Sequence, residues 1–356
     1  MKKFVSLFLA TAFILGLTSC QTSQPASTST GSEQNSSTST QTSNSDFPTR
    51  DMNGWITYGA GGGTDSASRA LAGGMGEYLG KTIVMDNMTG ASGAVATQYV
   101  LAQPADGYNI LFGSEGVHSF QFMDIADIGL DSLKTVFISC FTVGTLVVPA
   151  DSPYDTYQEF VDAALASPGT IRMGNTNISG IPYIVTTMMN NVHGTEFNNV
   201  SYDSDSDAMT ALLGGHIDAF ICYNPTAVSY LESGDVKVLM LFHNESLDSL
   251  PGVPYITEEY PEFDQYLPYG PYFGVWVSAE TPDDIVATLS TAATEAYNGE
   301  AFQEYMSSGG AIGLALTGEE ADEFMSTMQS TMAYLLYDTG AIETDPMEFG
   351  IQRNAE

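Results

Sequence analysis

The chain has 356 residues, with 43 Asp and Glu against 9 Lys and Arg, a formal net charge of −34 at pH 7. That balance excludes nucleic-acid binding, because neutralising phosphates needs clustered bases, and no Lys or Arg occurs between Lys237 and Arg353. An apolar content of 43% supports a substantial core, and the acidity serves solubility or tolerance of salt.

Met1-Lys2-Lys3 precedes an apolar run from Phe4 to Leu17, the n- and h-regions of an export signal, too short for the roughly 20 apolar residues that span a bilayer. The run ends in Leu17-Thr18-Ser19-Cys20, the pattern of a bacterial lipobox. Small residues there fit a signal peptidase and the thiol takes the lipid; an ordinary secretory signal that happens to hold a Cys is the alternative. Residues 1–19 are therefore expected to be a lipoprotein signal, with Cys20 the lipidation site. From Gln21 to Ser45 the chain is almost all Ser, Thr, Gln and Asn, with Glu33 as its one charge. Such a stretch has nothing to bury against its ordering entropy, so 20–45 reads as a flexible tether. The expected location is outside the cytoplasm, anchored to the cell membrane.

Beyond the tether, Gly54 to Tyr58 reads as a short strand that runs into Gly59-Ala60-Gly61-Gly62-Gly63-Thr64-Asp65. A helix is predicted over Ser66–Leu79, with Ala67, Leu71, Met75 and Tyr78 about one turn apart. Asp65 and Arg69 stand at i, i+4. A strand at Lys81–Met85, a helix opened by Gly90-Ala91-Ser92-Gly93, an Asp106-Gly107 turn and a strand at Tyr108–Phe112 follow. Strand, helix, strand, helix, strand marks a parallel sheet with helices on its faces. The pattern then recurs. Phe137–Val148 is one extended apolar run, 157–166 a helix, 170–174 a strand, 182–191 a helix, 198–202 a strand, 207–213 a helix, and 217–222 and 236–242 strands. A Pro- and Tyr-rich stretch, 266–273, leads into a strand at 274–278 and three helical segments.

A glycine run between a strand and a helix start is an anion cradle in which free N–H groups and the helix dipole favour negative charge. The run is not GxGxxG with a suitable acid after it, and no Lys follows to make a P-loop. A structural tight turn is the plain alternative. Gly90-Ala91-Ser92-Gly93 lacks the spacing of a nucleophile elbow, no pair of acids stands out as a dyad, and the four scattered histidines show no metal-ligand spacing. Neither catalysis, metal nor cofactor is expected. Cys140 and Cys222 read as two buried thiols or one disulfide within the second unit, an oxidising setting permitting the latter.

Tyr58 to Asp65 with Ser68-Arg69-Ala70-Leu71-Ala72 resembles the first motif of the tripartite tricarboxylate transporter receptor proteins, the TctC or Bug family. Asn87 with Gly90–Gly93 is similar to the second motif and Pro104-Ala105-Asp106-Gly107-Tyr108 to the third. Val200-Ser201-Tyr202, Leu212-Leu213-Gly214-Gly215-His216-Ile217-Asp218 and Leu250-Pro251-Gly252-Val253-Pro254 fit as well, so the likeness runs roughly from Phe47 to Met332.

The resemblance implies an α/β fold of the type II periplasmic-binding-protein kind. Two domains, each a mostly parallel sheet flanked by helices, form a clamshell joined by two crossover strands. Domain I is expected at 46–136 and 269–356, and domain II at 137–268. A small carboxylate would lie in the cleft, held largely by helix N-termini and ordered water, and pass to a membrane permease. By the same resemblance, the ligand segments of domain I are Tyr58, Gly61, Gly62, Gly63, Thr64, Asp65, Ala91, Ser92, Ser114 and Glu115. Those of domain II are Gly174, Asn175, Thr176, Ser179, Tyr202 and Asp203. The family commonly has Tyr-Lys-Gly where this chain has Tyr202-Asp203-Ser204, with Asp205 and Asp207 close behind. That departure points to a solute less anionic than a tricarboxylate, or to one with a cationic end; surface acidification that leaves the ligand untouched is the plainer account. An extracytoplasmic hydrolase and a surface sensory or adhesion module are the rival classes; a triad or metal in the cleft would mark the first, and the lack of a neighbouring permease gene the second.

Overall fold

The computed structural model describes residues 46–354 apart from 177, 178 and 203. The expected signal, tether and lipidation site at Cys20, and Asp203, therefore lie outside the described residues. In chain order the first sheet and its helices begin with β1 (Met52–Ile56), α1 (Gly63–Leu79), β2 (Ile83–Asn87), α2 (Ala94–Leu101), β3 (Asn109–Gly113) and β4 (Leu133–Phe141). The chain then enters β5 (Gly144–Pro149), α3 (Tyr157–Ala166), β6 (Arg172–Asn175), α4 (Ile181–His193), β7 (Asn198–Ser201), α5 (Asp205–Leu213), β8 (Ala219–Tyr223), α6 (Asn224–Ser233), β9 (Val236–Phe242) and the single turn α7 (Ile256–Glu259). It closes with β10 (Tyr272–Ser278), α8 (Asp283–Asn298), α9 (Glu300–Gly309), β11 (Ile312–Leu316) and α10 (Gly318–Asp338).

Two sheets result, ordered β11-β4-β10-β3-β1-β2 and β7-β6-β8-β5-β9. Around the first unit's centre β1 pairs in parallel with β2 and β3, and in the second β6 pairs in parallel with β7 and β8. The strands that carry the chain between sheets run the other way: β10 is antiparallel to β3 and β4, and β5 is antiparallel to β8 and β9. Both sheets are thus mixed, in a two-domain α/β clamshell.

Alternation along each strand explains why both faces are covered. In β3, Ile110 and Phe112 enter the apolar cluster under α1 and α8, whereas Leu111 enters the one under α2 and α10. In β8, Phe220 and Cys222 face the side of α5, and Ala219 and Ile221 the side of α4.

The apolar run 137–148 is not one strand. It divides at Thr142-Val143, with β4 in the first sheet and β5 in the second. There the Thr142 N–H donates to the Pro271 carbonyl at 2.8 Å, so the outgoing and returning crossings lie side by side. A Cβ on Gly270 would fall onto the Thr142 carbonyl oxygen, and glycine alone allows that approach. Asn224, fully buried, braces the crossing. Its Oδ1 accepts from Val143 N–H at 3.0 Å and its Nδ2 donates to the Gly310 carbonyl at 2.6 Å.

The same division decides between the two cysteine readings, for two buried thiols and against a disulfide. β5 does run antiparallel beside β8, opposing Thr145 to Cys222. Cys140, however, precedes the crossing and sits in the first sheet's core, while Cys222 sits in the second's. Both are free, buried thiols. Burial pushes the Cys140 thiol up to about 12 and raises that of Cys222 as well, so both stay protonated and unreactive.

Candidate functional site

In open α/β sheets ligands settle beyond the carboxyl ends of the parallel strands. Here those ends from both sheets converge. β1 delivers Tyr58, β3 delivers Ser114 and Glu115, β6 delivers Asn175, and β8 delivers Tyr223. The two sides touch: Ser92 Oγ lies 3.2 Å from Ser179 Oγ, the latter just before α4.

Ser92 reaches that position through unusual backbone. Gly90, Ala91, Ser92 and Gly93 all have positive φ, at 131°, 49°, 53° and 99°. Two consecutive left-handed non-glycine residues store strain of a kind that concentrates at functional sites. The turn is held in place by the Tyr58 hydroxyl, which donates to the Ser92 carbonyl at 3.4 Å, and by Gly116, whose missing side chain makes room for that same carbonyl.

The glycine run is partly self-satisfied. The Gly61 N–H donates to Asp65 Oδ2 at 3.0 Å, while Arg69 Nε and Asn87 Nδ2 both donate to Asp65 Oδ1 at 2.8 Å. Burial works to raise the Asp65 carboxyl, yet these donors hold it below the usual carboxylate range. No side chain caps α1, so its first N–H groups are left without a side-chain acceptor at the end of an exposed loop, with Thr64 and Asp65 buried.

Glu115 is the opposite case. It is 6% exposed, and its Oε2 has no hydrogen-bond partner among the described residues. Burial pushes its carboxyl up to about 7, against the help of its own backbone N–H and the Ser114 hydroxyl, with the charge of Asp205 adding repulsion. Asp205 opens α5 in the other lobe. Burial raises it to about 6, against a hydrogen bond from the Tyr223 hydroxyl. Tyr58 and Tyr223 are pushed up by burial and by these acids, so both phenols stay neutral. Tyr269 and Tyr272, at the returning crossing, also feel Glu115. Tyr272 is satisfied by His118 Nδ1 at 2.7 Å, whereas the buried Tyr269 hydroxyl has no partner among the described residues.

Among the remaining expected residues, Asn175 is 2% exposed and donates to Asn199 at 2.7 Å, leaving its Oδ1 unpartnered among the described residues. Gly174 belongs to the core: a Cβ there would press on Ile217 and Phe220. Thr176 and Tyr202 are partly exposed near the mouth, where the Tyr202 N–H donates to the Asn175 carbonyl at 2.8 Å. Asp205, Tyr223 and Tyr269 were not among the expected residues. The strand-end rule finds Tyr223; no local signal marks Tyr269, whose position depends on how the crossing returns.

A two-lobed fold whose strand ends meet around buried, unsatisfied polar groups is a solute-binding protein of the periplasmic type, a class that works outside the cytoplasm. Residues 67–334 match the tripartite tricarboxylate transporter family receptor, TctC, and the chain belongs to that family. It is 25% identical to protein BugT of Bordetella pertussis over 300 residues, 83% of this chain and 91% of that one. The periplasmic binding protein BugD superposes with a TM-score of 0.73 at 25% identity, over 83% of this chain and 99% of BugD. Rpa4515 of R. palustris, solved with adipate, gives 0.74 at 22% identity, over 83% and 99% of the two chains. The family is one of transporter receptors, and BugD is a periplasmic binding protein.

Proposed function

We propose that this chain is a lipid-anchored receptor that captures a small organic acid or zwitterion in the interdomain cleft and hands it to a tripartite tricarboxylate-type permease. The lobes are 46–136 with 269–356, and 137–268, with sheet membership favouring a first crossing at 142–143 rather than at 137. The observation that carries the reading is the cross-lobe contact of Ser92 with Ser179, together with Glu115 Oε2 and Asn175 Oδ1, buried atoms that lack partners among the described residues. Closed lobes over unsatisfied groups are what a captured solute completes. The adipate bound by a structural neighbour supports a small organic acid as the solute class, and the Leu17–Cys20 pattern followed by a polar tether supports the anchor.

In this reading the solute's carboxylate lies on the N–H groups that begin α1, beside Tyr58, Gly61 to Asp65, Ala91 and Ser92. Asn175, Thr176, Ser179 and Tyr202 close on it from the second lobe. Gly62→Asp tests this, because a Cβ there meets only the Gly59 carbonyl at 3.6 Å and so fits without clash. Any loss is then electrostatic. Calorimetry with the organic acid that binds best should show affinity at least about tenfold weaker, near 1.4 kcal/mol; unchanged affinity contradicts the assignment. Labelling Cys20 with a radioactive fatty acid in the producing cells, and its loss in Cys20→Ser, tests the anchor.

A further inference from the structure

We propose that the cleft is built to hold an organic ammonium, gripped between the carboxylates of Glu115 from one lobe and Asp205 from the other. The proposal rests on the cleft being the solute site and adds the charge that the solute must bring.

Glu115 and Asp205 come from different lobes and lie near enough for their charges to repel, and Glu115 is almost completely buried with one oxygen unpartnered among the described residues. An ionised carboxylate taken out of water is strongly unfavourable unless a cation or several donors meet it. Among the described residues no Lys or Arg is paired with either acid. Of the seven there, six are paired with other aspartates. Arg69, in α1, commits Nε to Asp65, NH1 to the Met85 carbonyl and NH2 to Asn87. The seventh, Lys81, follows the far end of α1, a 17-residue helix and so about 25 Å from the glycine run.

Among the described residues, the groups coupled to Glu115 carry no positive charge either. They are Tyr58 and Ser114 on its own lobe, Asp205 and Tyr223 on the other, and Tyr269 and Tyr272 at the crossing, while burial keeps His118, in the same turn, neutral. An ammonium supplies what is lacking: N–H donors and a unit charge for Glu115, Asp205 and the orphaned Tyr269 hydroxyl oxygen. A metal ion is less suited, since no three His, Cys, Asp or Glu side chains converge to hold one among the described residues. The competing chemistry keeps a proton on Glu115 and donates it to a solute carboxylate; it demands the opposite charge preference and the opposite pH trend.

The test is a thermal-shift and calorimetric screen of the purified tethered chain against the common amino acids, short amines and ω-amino acids, with carboxylates of matched length alongside. Amine-bearing probes should bind. Glu115→Gln and Asp205→Asn should each weaken that binding about thirtyfold or more, as expected when one partner of a buried charge pair is removed. Melting temperatures of the two ligand-free variants should be equal to or above the parent's, which separates lost binding from lost folding. Binding of carboxylates alone, unweakened or strengthened in Glu115→Gln, overturns the ammonium assignment while leaving the cleft as solute site. Binding by neither class overturns both.

Discussion

Asp65 and Glu115 are carboxylates of the same lobe and equally buried, each 6% exposed, yet their environments are opposed. Asp65 opens α1 and is met by a backbone N–H, an amide and a guanidinium, so its proton is lost readily. Glu115 follows β3 with one oxygen unmet among the described residues, and burial pushes its carboxyl up to about 7. The difference teaches that burial alone says little about function. A buried acid with partners is architecture, and a buried acid without them is waiting for a guest.

The comparison breaks first at Asp65. Asp65→Ala removes the acceptor from three donors and should destabilise the protein by about 3 kcal/mol in chemical denaturation. Because its folded pKa is depressed, the stability Asp65 contributes is present above its unfolded value and lost as pH falls through its folded one. A loss below about 1 kcal/mol would mean that the network is only a surface arrangement.

Glu115→Gln should act with the opposite sign. Here the folded pKa lies above the ordinary value, so the native state binds the extra proton and stability declines as pH rises from 4.5 towards 7. The shift corresponds to about 3 kcal/mol at about 1.4 kcal/mol per unit. The amide still needs partners of its own, which leaves about 2 kcal/mol of stabilisation at slightly alkaline pH and almost none in acid. His118, which burial lowers to about 3, gives stability that is lost as pH falls below its unfolded value. Its slope opposes that of Glu115, so the informative quantity is variant minus parent at each pH. A difference that does not change with pH would place Glu115 in an ordinary solvated setting.

The smallest expected effect is at the strained turn. Ser92→Gly relieves a left-handed φ of 53° and should stabilise the ligand-free protein by about 1 kcal/mol while weakening solute binding through loss of the Ser179 contact. Unchanged stability would show that the turn is relaxed without a guest.

The sequence made α3 and β9 legible to the residue, because Thr156 and Glu159 form a capping box and 236–242 is a bounded apolar run. It hid the division of 137–148, since Thr142-Val143-Gly144 carries no turn chemistry and the crossing is stabilised by Pro271, far along the chain. β11 was missed for a related reason: Ile312, Leu314 and Leu316 alternate over only five residues, flanked by helices, and pair with β4 from a long distance in sequence. α6 follows an Asn-Pro start that reads as a loop. In the site, strand-end residues such as Tyr58, Ser114, Glu115 and Asn175 were legible. Glu115 as a buried acid without a counterion was not, because a missing partner is a tertiary fact. Asp205 was seen in the sequence only as one more charge in an acidic loop.

The central claim is tested most directly by calorimetric titration of the best-binding amine from about pH 5.5 to about pH 8.5, a range in which an aliphatic ammonium keeps its charge. If Glu115 must be ionised to receive it, affinity rises towards tenfold per unit below pH 7, levels off above it, and loses most of this dependence in Glu115→Gln. Affinity that falls as pH rises would show that the cleft binds its solute through a protonated Glu115, and would contradict the account.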